Sequence, residues 1–111
     1  MNENVTEKED GLREVMEQSI DSSTLRQYEH RWEAWKTHCQ EKDVPVYGSS
    51  TRQFLRFLAS VSETNSTSII YSYVSAINHF HRLKFLESPS RNEHVTMFMK
   101  GMKRYVCVQI I

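Results

Sequence analysis

Apolar residues along this chain recur at intervals of three and four, and no segment alternates apolar and polar positions as a half-buried strand would. Leu25, Tyr28, Trp32, Trp35 and Cys39 follow one another at spacings of 3, 4, 3 and 4, which places them on one stripe of an α-helix. Ser22, Ser23 and Thr24 offer cap oxygens at its start, and Gln27 stands three residues after Thr24 as in a capping box. The helix is expected to reach about Lys42. Beyond it Asp43, Val44, Pro45 and Gly48 make continuation costly, about 3 kcal/mol for an interior proline.

A shorter helix follows, capped by Ser49 or Ser50, with Phe54, Leu55, Phe57, Leu58 and Val61 on a broad apolar face and Arg52 and Arg56 outside it. Ser62 to Ser66 is a polar break. Asn65 or Ser66 then caps a second long helix with Ile70, Tyr73, Val74, Ile77 and Phe80 turned inward and His81 at the edge of that stripe. Its opposite face reads Ser68, Ser72, Ser75, His79 and Arg82. Glu87 to Ser90 marks a loop, and Val95, Phe98, Met99 and Met102 define a last helix ending near Arg104. Ahead of these, Leu12, Val15, Met16 and Ile20 form a short amphipathic helix behind a disordered tail. The end, Tyr105 to Ile111, is apolar and β-branched and reads as strand-like or unstructured. The pattern predicts an all-α fold, a compact bundle of four to five helices, divided into an acidic arm (1–21), a helical body (22–104) and an apolar tail (105–111).

Only three glycines and two prolines in 111 residues fit one domain with few turns. A chain of this size buries roughly two-thirds of its unfolded surface, enough for a core without metal or disulfide support. No run approaches the roughly eighteen apolar residues that cross a bilayer, and the start MNENVTEKED lacks the basic and apolar regions of a secretory signal, so no membrane partner is expected. Cys39 and Cys107 lie far apart with no paired motif, which excludes a disulfide framework or a four-cysteine zinc site and fits a reducing intracellular compartment. That compartment is the nucleus in a eukaryote and the cytoplasm in a bacterium or phage.

The formal net charge of zero hides an asymmetry. Residues 1–21 carry Lys8 and Arg13 against Glu3, Glu7, Glu9, Asp10, Glu14, Glu17 and Asp21, two minus seven or minus five, so the remainder is plus five. An acidic arm precedes a mildly basic body. Such a body can hold a polyanion, yet the same excess also serves as an ordinary solubilising surface, so charge alone does not decide.

Catalytic chemistry finds no footing in the pattern. His79 and His81 point some 200° apart on a helix, roughly opposite, and have no nearby carboxylate as a third metal ligand. The acids cluster in the arm and along outer faces, with no pair set in a cleft. Cys39 continues a buried stripe, where a thiol behaves as a small hydrophobe. No glycine-rich phosphate loop is present. Neither a cofactor nor a metal is expected, and the residues by themselves describe a binding module.

Three segments go further. They are SSTLRQYEHRWEAWKTHC, with Thr24 and Tyr28 at its start; SIIYSYVSAINHFHRLKF, with Ser75-Ala76-Ile77 and then Phe80-His81; and the end from Pro89 through Val95 to MKGMKR, with Gly101 and Arg104. In this order, Ser22 to Arg104 resembles the SAM-like core-binding domain of the tyrosine recombinase, or phage integrase, family. The resemblance implies half of a clamp on double-stranded DNA, with two helices entering the major groove. On the first long helix it points to Ser23, Thr24, Arg26, Gln27 and His30, near the positive helix end or opposite the Trp stripe. On the second it points to Ser68, Tyr71, Ser72, Ser75, His79 and Arg82, where small side chains let a helix sit deep in the groove. Lys100, Lys103 and Arg104 would anchor phosphates or a linker.

The family's catalytic domain, with its arginines, lysine, histidine and tyrosine nucleophile, is not matched by any segment here. The spacing His79-x-x-Arg82 imitates a catalytic motif inside a DNA-facing helix, and Tyr105 is not assigned as a nucleophile. The expected function is therefore a DNA-binding module without enzymatic activity. The rival is a helical protein-interaction module derived from a mobile element, docking on a recombinase-like partner or on its own copy through YVCVQII and the acidic arm. The arm also has the charge to cover the basic body and weaken DNA binding.

Overall fold

The computed structural model describes the backbone of residues 11–110 and the side chains of residues 11–102. Helix α1 covers residues 11–17, followed by α2 (Ser22–Lys42), α3 (Thr51–Ser62), α4 (Thr67–Leu83) and α5 (Glu93–Ile110). No strand occurs among the described residues, and the chain forms the expected all-α bundle. The acidic residues of 1–10, with the disordered tail expected there, lie outside the described residues.

Helix starts follow cap chemistry, with one correction. The cap of α2 is Asp21, whose carboxylate accepts from the Thr24 N–H at 2.7 Å and from the Ser23 hydroxyl at 2.9 Å. Ser22, Ser23 and Thr24 are thus inside the helix, and the capping box with Gln27 does not form. A carboxylate at the positive end of a helix outcompetes a hydroxyl for the free N–H groups. The same bonds, Thr24 first and Ser23 second, hold the Asp21 carboxyl below its ordinary pKa. Ser50 caps α3 through its hydroxyl, which accepts from Gln53 N–H at 3.2 Å, and Ser66 precedes α4 without a side-chain bond to the helix backbone.

Helix α2 ends as the sequence predicts. Asp43 takes the left-handed conformation (φ 54°), and Val44 N–H reaches back to the Cys39 carbonyl at 2.9 Å. Helix α4 closes the same way at Phe85 (φ 57°), with Leu86 N–H on the His81 carbonyl at 3.0 Å. The loop after it is pinned by the Ser88 and Ser90 hydroxyls, which both donate to the Asn78 side-chain oxygen.

Helix α4 is the central element, packing against α2, α3 and α5. The core joins Trp32, Trp35, Phe54, Phe57, Leu58, Ile70, Ile77, Val95 and Met99, as the periodicity places them. Trp35 is wholly buried, its ring edge-on to Phe54 and Phe57, and its indole N–H donates to the Val46 carbonyl at 3.1 Å. That bond folds the α2–α3 connection back over α2.

His81 departs from its expected place at the stripe's edge: it is 0% exposed, set between the rings of Trp32 and Tyr47. Its Nδ1 lies 2.8 Å from the Ile77 carbonyl, so this nitrogen carries the proton and the unpaired Nε2 is a bare acceptor. Burial pushes its pKa down, and the Ile77 bond opposes this.

The far end also differs. The backbone stays helical through Ile110, where a strand-like or unstructured tail is expected from residue 105. Between Glu93 and Ile110 no proline intervenes. The β-branched residues Val106, Val108 and Ile110 each cost only tenths of a kcal/mol, less than an established helix needs to stop.

Candidate nucleic-acid interface

Helices α2 and α4 run antiparallel, since early residues of one meet late residues of the other. The Tyr28 ring faces His79 at 5.7 Å, Trp32 stacks on Phe80 at 4.9 Å, and Arg31 Nε donates to the Ser72 hydroxyl at 2.7 Å. The N-terminal half of α2 therefore lies across α4 from Ser72 to Phe80. Ala76, 0% exposed, has only a methyl group to hold the helices apart.

Ser23, Arg26, Gln27 and His30 are all exposed, and their spacings of three and four gather them on one face of α2. Thr24 is half-buried, its N–H engaged by Asp21. On α4, Ser68, Tyr71, Ser75 and Arg82 are exposed at intervals of 3, 4 and 7, again one stripe. Ser72 and His79, expected on that solvent face, are half-buried and turned toward α2. With three helices around α4, its small polar flank becomes a packing surface. Ser72, Ala76, His79 and Leu83, at spacings of 4, 3 and 4, form a second helical stripe that the polarity of two members disguises.

Arg31 is the residue that sequence reasoning missed. Its guanidinium lies 5.0 Å over the Tyr73 ring while Nε bonds Ser72, so it spans the α2–α4 crevice. Nothing local signals this role, because the partner is 41 residues away. Gln27 sits one turn before Arg31, and Ser68 and Ser75 sit one turn on either side of Ser72. Polar surface thus continues across the crevice from one exposed stripe to the other.

The carboxylates of α2 stand away from Arg31 but share the face of Arg26, from which Glu29 is three and Glu33 seven residues along. Glu29 and Glu33 each stand two residues from Arg31, about 200° around the helix, and Glu33 pairs with Lys36 at 2.7 Å. Among the described residues Arg26, Arg31 and Arg82 have no salt-bridge partner. Burial pushes the pKa of His79 down, with Arg82 acting in the same direction and Glu17 opposing, so the ring is neutral near pH 7.

Lys100 is exposed on α5, a helix that packs against α3 and α4, and is not among the residues gathered at the crevice. The side chains of Lys103 and Arg104 lie outside the described residues. His79 faces Tyr28 while His81 enters the core, so the two rings do not converge. Among the described residues no three His, Cys, Asp or Glu side chains are placed to hold a metal ion, and no helix is long and apolar enough to cross a membrane. Cys39 is buried, and burial pushes its thiol pKa up to about 11, so it carries no nucleophilic thiolate at neutral pH. Compared with protein-family models and with curated proteins, the chain matches none.

Proposed function

We propose that this chain holds duplex DNA through the α2–α4 pair, as the DNA-binding module of a tyrosine recombinase-like protein, with cutting and joining left to residues outside it. One observation carries the reading: helices α2 and α4, bridged by Arg31 and Ser72, present a polar surface on which Arg26, Arg31 and Arg82 have no salt-bridge partner among the described residues. Arginine meets phosphates, and serine accepts or donates to several base edges. The short side chains of Ser68 and Ser75 let α4 approach a groove closely. Such a module works inside the cell, wherever the DNA is.

The protein-docking alternative has one observation in its favour. Phe85 is 70% exposed in a left-handed conformation that bulky residues rarely adopt, which suits a contact with a partner. The two readings separate in one experiment, binding of the full chain to random duplex DNA by fluorescence anisotropy. Arg26→Ala combined with Arg82→Ala should keep the helical circular dichroism and weaken binding. Unchanged binding would place the DNA surface elsewhere.

A further inference from the structure

The acidic arm does not lie clear of the body. Met16 and Ser19 wall one side of a cavity of about 230 Å³ whose other side is His79, Arg82 and Leu83 of α4. The arm's short helix therefore sits against the end of α4 where the exposed polar stripe finishes, bringing the charge of Glu17 within reach of His79. From this geometry we infer that the arm is a built-in competitor for DNA, lying over the His79–Arg82 end of the interface and displaced when the nucleic acid binds. The inference rests on the DNA reading of α2 and α4 and adds its regulation.

The hold of the arm is slight. Leu12 and Val15 remain 54% and 72% exposed, while Met16 and Ile20 are only half-buried. Among the described residues the hydrogen bonds of 11–20 stay within the arm, as between Arg13 Nε and Glu17 at 3.0 Å and between Ser19 N–H and the Met16 carbonyl at 3.0 Å. A helix this short is not stable by itself, so detaching the arm costs little beyond its few apolar contacts. The Asp21 cap stays with α2 and marks the pivot, so the arm can leave without disturbing the bundle.

Its chemistry matches the ligand it would exclude. Residues 1–21 carry seven acids and two bases. The charge of Glu17 is felt at His79, where it opposes the effect of burial on the ring. Phosphates of a duplex and carboxylates of the arm thus compete for the Arg82 guanidinium at the end of α4. The affinity for DNA is lowered by the fraction of molecules with the arm closed.

The test compares two full-length variants of equal net charge. Glu14→Gln with Glu17→Gln neutralises the arm; Glu41→Gln with Glu63→Gln removes two exposed acids near the other ends of α2 and α4. On random duplex DNA at low salt, the arm variant should bind roughly three- to tenfold more tightly than the control pair. The NMR titration of the His79 ring, measured without DNA, should move to lower pH in the arm variant only. Equal gains in the two variants, or an unmoved His79 titration, would overturn the competitor. A chain that binds DNA in none of its forms would overturn the DNA reading, and the competitor with it.

Discussion

Arg31 and Ser72 form the hydrogen bond that joins the two helices of the candidate interface, 2.7 Å long and half-buried. Nε is used in the bond and the cationic face covers Tyr73, which leaves the terminal N–H groups of the guanidinium as donors at the crevice. A lysine has no planar fork with which to do both. Arg31→Lys should therefore weaken DNA binding nearly as much as Arg31→Met. A double-mutant cycle with Ser72→Ala on folding stability should give a coupling of about 1 kcal/mol. Additive losses would mean that the two side chains do not act together.

Trp35 combines complete burial, two edge-on aromatic neighbours and a hydrogen bond to Val46. Trp35→Ala should cost about 3 to 5 kcal/mol, most of the stability of a domain this small. Urea denaturation followed by circular dichroism measures it. A loss below about 1 kcal/mol would contradict the packing of α2 on α3.

How far the sequence could be read depended on whether a residue's partner was local. The Trp stripe of α2, the apolar face of α3 and the stop at Asp43 follow from spacing and turn chemistry within a few residues, and each was legible. The exposed candidates Arg26, His30, Ser75 and Arg82 were legible as well, because a helix face is a local property. Ser72, His79 and His81 were misplaced, since polarity argues for solvent and only the positions of α2 and Tyr47 reveal otherwise. Arg31 has no sequence signal of its own, because Ser72 is 41 residues away and only the position of α4 reveals the bond. The helical course beyond Arg104 was missed because β-branching was weighed without the upstream helix that propagates into it.

Acid should destabilise the bundle through its histidines before it reaches the carboxylates. His38, His79 and His81 each have an unpaired, buried Nε2, and burial lowers the pKa of all three from 6.5. Above about pH 7 these rings are neutral whether the chain is folded or not, and their contribution is complete. As pH falls through 6.5, the unfolded chain takes up protons that the folded chain resists, so stability declines until the folded rings also protonate. His81→Leu should flatten part of the decline between pH 7.5 and 5.5 in urea midpoints. An identical slope in the variant would show that His81 takes up its proton equally in the folded and the unfolded chain.

Phe85 occupies a position that favours glycine. Its φ of 57° crowds the side chain against the backbone, and its ring gains little burial in return at 70% exposed. Phe85→Gly should raise stability by about 1 kcal/mol, net of the entropy glycine adds to the unfolded chain, and the thermal midpoint by a few degrees. A lower midpoint would show that the phenyl ring contributes packing that its exposure conceals.

The central claim, that the α2–α4 surface meets the phosphates of duplex DNA, is tested most directly by a salt titration of the full chain against a random duplex. Phosphate contacts release counterions, so the logarithm of the association constant should fall linearly with the logarithm of salt concentration, with a slope of roughly −0.9 per phosphate neutralised. The account predicts a slope of about −2 or steeper, roughly −2.7 if each of the three arginines on this surface meets one phosphate. A flat dependence, or no binding at about 50 mM salt, would contradict it.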